Sequence, residues 1–377
     1  MLKSFMLPVV AGLSCLPAAG QAAIEARGGQ FLGFASFRAF QETPGAQTGE
    51  ITLTSREIHA ALDWNELIAS WNAEMPEGSY LRIEARALHA DKPTQFYVLG
   101  LWSADPPQHP RESVLKQKDA DGDVATDTLL LNRKARQFQV RVTLGGEGKM
   151  LPKLKFLGLC LLDNTLRPAP LPPNRKAWGK LIPVPERSQM AYPGGEVWCS
   201  PATLSMLLAH WSGVLHRPDL DRSVPEVVKE VFDPNWEGTG NWVFNTAFAG
   251  SGRGLRAYVT RFSDVTEIED WIARGIPVGL SLCYNQLRGK DGGLSGHLVV
   301  CVGFTKTGDV IVNDPGTREN VRKVFPRQNL LAAWATSRNA VYLIYPEGAR
   351  LPKDRFGHWD SATSRRRVGL ATNADGK

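Results

Sequence analysis

No helix or sheet interior can run through Arg167-Pro168-Ala169-Pro170-Leu171-Pro172-Pro173-Asn174, because proline lacks a backbone donor and fixes φ. This stretch divides the 377 residues into two regions of different pattern, and a chain of that length has enough material for two cores. Upstream, short alternating runs such as Tyr80-Leu81-Arg82-Ile83-Glu84-Ala85-Arg86 and Phe138-Gln139-Val140-Arg141-Val142-Thr143-Leu144 read as half-buried antiparallel strands. Their spacing predicts an all-β region, an antiparallel β-sandwich over residues 24–165. A linker over 166–180 follows. An α+β domain is then expected over 181–346: an opening helix, a second helix over Val265 to Arg274, and strands at Val278–Tyr284, His297–Phe304, Val310–Asn313 and Ala340–Tyr345. The polar residues 347–377 read as a poorly ordered tail.

The first 23 residues carry Lys3, an apolar run from Phe5 to Leu16 and then small residues, the layout of a secretory signal. Export follows as an expectation, with the mature chain secreted, periplasmic or on the cell envelope. No later segment is apolar enough to span a bilayer, so no transmembrane segment is expected once the signal is removed. The net charge of +6 is a mild bias, and without a basic-aromatic repeat it excludes nucleic acid as an expected partner. The most basic patch, Ser364-Arg365-Arg366-Arg367, reads as solvated tail. Asp119-Ala120-Asp121-Gly122-Asp123 matches only the opening of a calcium loop and reads as a tight acidic turn; no metal or cofactor is expected.

Four cysteines lie beyond the signal: Cys160, Cys199, Cys283 and Cys301. So few exclude a disulfide-stapled scaffold; Cys283 with Cys301 is the one pair worth testing, and two buried thiols are the equal alternative. Cys199 is singled out by its setting in Glu196-Val197-Trp198-Cys199-Ser200-Pro201-Ala202. Ser200 suits an N-cap, Pro201 the first turn, and Leu204, Leu207, Leu208 and Trp211 recur as a helical stripe. A thiol just before the positive end of a helix dipole is biased toward thiolate, the attacking species.

A cysteine nucleophile needs a base, and histidine is the usual one near neutral pH. His59, His89 and His109 belong to the first region and His358 to the tail. His210 lies on the Cys199 helix but ~16 Å along its axis, and His216 follows in a loop. His297 is delivered by Gly293-Leu294-Ser295-Gly296 to the mouth of an apolar strand. The next strand ends in Asn313-Asp314-Pro315. With a loop Thr305-Lys306-Thr307-Gly308 and Phe304 paired to Asp309, Asp314 falls opposite Val299 and on the face of His297. It could then orient the imidazole. Oxyanion donors would be the Cys199 amide or the Gln189 side chain.

The order Gln189, Cys199, His297, Asp314 resembles that of papain-like cysteine peptidases. More narrowly, Val197-Trp198-Cys199-Ser200-Pro201, Gly296-His297-Leu298-Val299-Val300 and Val312-Asn313-Asp314-Pro315 resemble secreted relatives of the double-glycine-leader (bacteriocin-processing) cysteine peptidases, as does the block from Gly240 to Ala247. The resemblance spans roughly 181–346. It implies a papain-like fold, with Cys199 as nucleophile, His297 as base and acid, Asp314 as orienter and Gln189 as oxyanion donor. Trp198, Asn241 and Trp242 become candidate substrate-binding residues, although the glycine-rich turns around Gly240 and Gly250-Ser251-Gly252-Arg253-Gly254 equally suit simple connections. Peptide or protein would be the substrate. The same three residues would serve acyl transfer or amide hydrolysis on cell-wall peptides. A dead domain behind a glycan- or protein-binding sandwich, with Trp71 and Trp102 as an aromatic platform, is the alternative outside catalysis.

Overall fold

The computed structural model describes residues 26–147, 150–252 and 254–361; the signal reading over 1–23 and the basic patch at 364–367 lie outside them. Nine strands precede the linker: β1 (Gly29–Phe34), β2 (Gln41–Pro44), β3 (Ile51–Thr54), β4 (Ile58–Glu74), β5 (Ser79–Leu88), β6 (Tyr97–Ser103), β7 (Gly122–Ala125), β8 (Thr128–Gly146) and β9 (Lys153–Leu162). They form one continuous antiparallel sheet. The long strands β4 and β8 serve both ends of it: Thr128–Leu130 of β8 pair with Glu66–Ile68 of β4, whereas Gln137–Gly146 pair with β5. Register shifts in β4 around Trp64 let the sheet change direction there, and Trp64 meets Phe138 edge to face at 5.5 Å. Trp71 and Trp102 are both buried and 6.2 Å apart, which removes them as an exposed platform. The acidic turn is as expected: the Asp119 carboxylate accepts from the amides of Asp121 and Gly122 and from the Tyr97 hydroxyl.

After the linker come α1 (Cys199–Leu215), α2 (Val224–Val231), α3 (Trp242–Ser251), β10 (Leu255–Arg261), α4 (Val265–Ala273), β11 (Val278–Cys283), α5 (Tyr284–Leu287), β12 (Gly296–Phe304), β13 (Val310–Asn313), β14 (Arg322–Phe325), α6 (Arg327–Ala335) and β15 (Ala340–Pro346). Their six strands form an antiparallel sheet in the order β10-β15-β11-β12-β13-β14. From Ser200 to Trp211 α1 is buried all round, not along one stripe, as befits a helix enclosed by its neighbours. The helix starts two residues earlier than its sequence suggests, with Trp198 in place of Ser200 at the N-cap. Cys199 itself occupies the first turn, and Ser200 caps nothing; its hydroxyl pairs with that of Tyr342 at 2.9 Å.

Side chains of β4 close the free edge of β10. Asn72 donates to the Ala257 carbonyl at 2.7 Å and accepts from the Ala257 amide at 3.1 Å, while Ser70 accepts from the Val259 amide at 3.0 Å. An edge that would otherwise template a foreign strand is thus paired inside the chain. The proline segment is also tied down: Asn174 and Trp178 bond to Glu269 and Asp270 on α4.

The tail expectation needs correction for residues 347–361. Trp359 is buried against Phe262 and Trp271, with centroids at 5.5 and 5.6 Å, and His358 is buried between Glu267 and the Ala26 carbonyl. A locally polar composition hid two anchor residues. The disulfide option also fails. Cys301 stands opposite Val278 and Cys283 opposite Gly296, about 16 Å apart along β11 at strand rise, and all four described cysteines are free.

The hairpin β12–β13 differs from its expected register at one end only. Phe304 pairs with Val310, one residue off, but a bulge at Val302 restores Val300 opposite Asn313. Continuing that pairing sets Asp314 opposite Val299. The bulge has a visible partner: Ile182 donates to the Val302 carbonyl at 2.7 Å and Gly179 to that of Phe304 at 2.9 Å. A side chain at Gly303 would run into the Lys180 carbonyl. Gly303→Ala should therefore destabilise the protein by about 1–3 kcal/mol, as overpacking does, measured by chemical denaturation; an unchanged midpoint would refute this role for the 179–182 segment.

Candidate functional site

Three elements meet at one cleft. The first turn of α1 carries Cys199, the start of β12 carries His297, and the turn after β13 carries Asp314. His297 Nε2 lies 2.8 Å from Asp314 Oδ1, which leaves Nδ1 for the sulfur, and the Cys199 thiol is hydrogen-bonded to the His297 ring. Asp314 is fully buried and His297 nearly so, while Cys199 is half-buried and faces a groove of 890 Å³.

The electrostatics follow from these contacts. Burial works against a charged imidazole, but hydrogen bonds to Asp314 and Cys199 outweigh it and lift the His297 pKa to about 9. For Cys199, burial favours the thiol, yet the bond to His297 and the amides of Leu298 and Ser200 overcome it and bring the sulfur below its ordinary range. The first amides of a helix have no intrahelical acceptor, so they are free to turn toward negative charge here. Asp314 is likewise held below the usual carboxylate range: burial would raise it, and His297, Tyr284 and the Gly316 amide pull it down.

Tyr284 gave no signal in the sequence, where it read as the end of a strand. Its hydroxyl donates to Asp314 Oδ2 at 2.8 Å and its ring lies 4.1 Å from that of His297, tilted by 30°. Tyr284 therefore fixes the carboxylate and covers one face of the imidazole. Gly316 closes the other approach: its amide donates to Asp314 Oδ1 at 2.9 Å, and a Cβ there would come within 3.0 Å of His297 Cε1.

Gln189 reaches the groove with its side chain already hydrogen-bonded. Its side-chain amide donates to the carbonyls of Gly195 and Glu196 at 2.8 and 2.9 Å, so both N–H groups are committed, and its own amide bonds to the Pro315 carbonyl. This ties the loop before Cys199 to the turn after Asp314. Asn241 is also corrected: it is buried, caps α3 and donates to Asp233 at 2.9 Å. Trp198 packs toward Tyr192 at 6.3 Å and is not among the described residues lining the groove, whereas Trp242 and Gly240 do line it. Gly250 sits inside α3, not in a turn. His210 packs on Trp211, and His216 ends α1 in a left-handed conformation; neither is at the groove. Among the described residues no His, Cys, Asp and Glu cluster suits a metal, and no helix is long and apolar enough to cross a membrane.

A helix-borne thiol packed against an antiparallel sheet that carries the imidazole defines an α+β cysteine peptidase fold. Residues 181–342 match the Peptidase_C39 like family, and residues 41–161 match the Peptidase C39 N-terminal domain. Each of these two regions is thus matched by a C39 peptidase family model. Among solved structures, one described as a C39-like peptidase from Bacillus anthracis is 16% identical, with TM-score 0.34, over 46% of this chain and 99% of that one. A carbohydrate esterase from Cellvibrio japonicus is 14% identical, with TM-score 0.18, over 41% of this chain and 42% of that one. Likenesses this distant carry no functional argument. No curated protein matches the chain.

The His297 shift has a definite sign. A raised pKa means the folded site favours the protonated ring, which persists from acid through neutral pH and is lost as pH rises through about 9. Asp314→Asn removes the charge that favours imidazolium, so this deprotonation should move down by ~1–3 units. Proton NMR of the His297 ring against pH reads it; an unmoved alkaline step would contradict the assignment.

Proposed function

We propose that the protein is a peptidase that hydrolyses peptide bonds through an acyl-enzyme on Cys199. The observation that carries this reading is the contact of the three groups, with the sulfur lowered and the imidazole raised by one another. The Cys199 thiolate adds to the scissile carbonyl carbon, and the carbonyl oxygen takes the negative charge facing the Cys199 amide. Collapse of this intermediate breaks the C–N bond while His297 gives its proton to the leaving amine. Water then attacks the thioester; His297 takes a proton from it, and the acid product leaves as the thiolate re-forms. Asp314 stays ionised throughout and holds the ring in place and in its tautomer.

In this reading the enzyme works outside the cytoplasm, a placement that rests on the signal-like pattern of residues 1–23. An exported thiol is open to oxidation, so activity should need a reductant. A peptide-library digest tests the chemistry: Cys199→Ala should lose ~10⁴-fold or more in rate, as removal of a nucleophile does. Cleavage surviving in that variant, or no cleavage by the native protein under reducing conditions, would dismiss the reading.

A further inference from the structure

The groove at Cys199 is not built by the second domain alone. Ala125, Thr126, Asp127, Thr128 and Leu130, from the end of β7 through the start of β8, line it as well. The contact is fixed, because the Asp127 carboxylate accepts from the Trp242 amide at 2.8 Å and from the Thr128 hydroxyl at 3.0 Å. A residue of the first domain thus fixes the start of α3 and the base of the Trp242 side chain.

The charges deep in this region are already spent on one another. Arg261 and Arg338 both bind the buried Glu66, Arg261 at 3.3 Å, and Asp127 is committed as described. What faces the groove is mainly apolar: Leu130 and Trp242 are each half-buried, with Val197 70% and Trp236 45% exposed at its edge, and Glu196 and Glu237 are exposed charges on the same lining. Large apolar side chains left open beside a reactive thiol gain free energy when a ligand covers them.

We propose that the β7–β8 turn is a specificity wall of the active site, and that the groove holds an extended polypeptide by packing a bulky apolar side chain against Leu130 and Trp242. The proposal rests on the peptidase reading for the identity of the groove and adds the class of substrate. It makes the first domain part of the substrate site. Gly296, exposed at the start of β12 with open space where a side chain would project, leaves room for a main chain to run past His297.

Binding to Cys199→Ala protein separates the two ideas, since it needs no turnover. The probes are short peptides identical except for one position occupied by Leu, Phe, Asp, Lys or Gly, together with a peptide-bearing glycan fragment of bacterial cell wall. The Leu and Phe peptides should bind at least about tenfold more tightly than the Asp and Gly peptides. Leu130→Ser in the same background should erase that preference while the protein stays folded; Ala125→Arg, on the exposed turn, should bring the Leu and Phe peptides down toward the others and stands in if Leu130→Ser misfolds. Equal affinity across the panel, binding of the glycan fragment alone, no binding of any peptide, or a preference intact in both variants would overturn the proposal. If the apolar preference holds while native protein cleaves nothing, the hydrolase reading fails and the wall stands.

Discussion

The bond between His297 and Asp314 joins two neighbouring strands, and it exists only because those strands meet in one register. Side chains alternate across a sheet, so a slip of one residue would carry Asp314 to the far face. Near the turn, Phe304 lies opposite Val310, a register that continued unbroken would make that slip; the bulge at Val302 takes up the extra residue, and Val300 faces Asn313. The amides of Gly179 and Ile182 hold the bulged strand through the carbonyls of Phe304 and Val302. A segment that looks like a spacer between domains therefore helps set the geometry of the imidazole–carboxylate pair.

That geometry matters because the pair is buried, Asp314 fully and His297 nearly so. A buried imidazole alone would be neutral and a buried thiol alone protonated; each is pushed the other way by its partner. The two titrate as a pair, so their proton steps belong to the site more than to either residue. Asp314 biases the pair from behind. With Tyr284 and the Gly316 amide occupying its other lone pairs, the carboxylate has no freedom to rotate away from Nε2.

Legibility in the sequence followed chemistry and periodicity. Cys199, His297 and Asp314 were readable because their types, order and strand spacing carry a mechanism, and the apolar strands β11, β12 and β15 because their runs are unbroken. Strand β10, Leu-Arg-Ala-Tyr-Val-Thr-Arg, was not. All seven positions are buried, yet three are polar, and their partners are remote in sequence: Asp360 near Arg256, the His358 carbonyl on Thr260, Glu66 on Arg261. The same holds for His358 and Trp359, which look like tail until Glu267 and Trp271 are placed beside them. For Gln189 the position at the groove was legible and the hydrogen-bond partners were not, because which acceptors surround an amide is a property of the folded loop.

The arrangement around Glu66 argues that the two domains are one folding unit. Its carboxylate is nearly sealed from water and neutralised by Arg261, itself buried, and by Arg338. Cutting the chain at the linker would take away the carboxylate that pairs with Arg261. It would also strip Asn72 and Ser70 from the edge of β10, exposing backbone groups that then seek another strand. A second domain made alone from residue 181 onward should therefore aggregate or unfold, even though it contains Cys199, His297 and Asp314. The sheet that aligns those three groups has its first edge closed by the domain that also walls the groove.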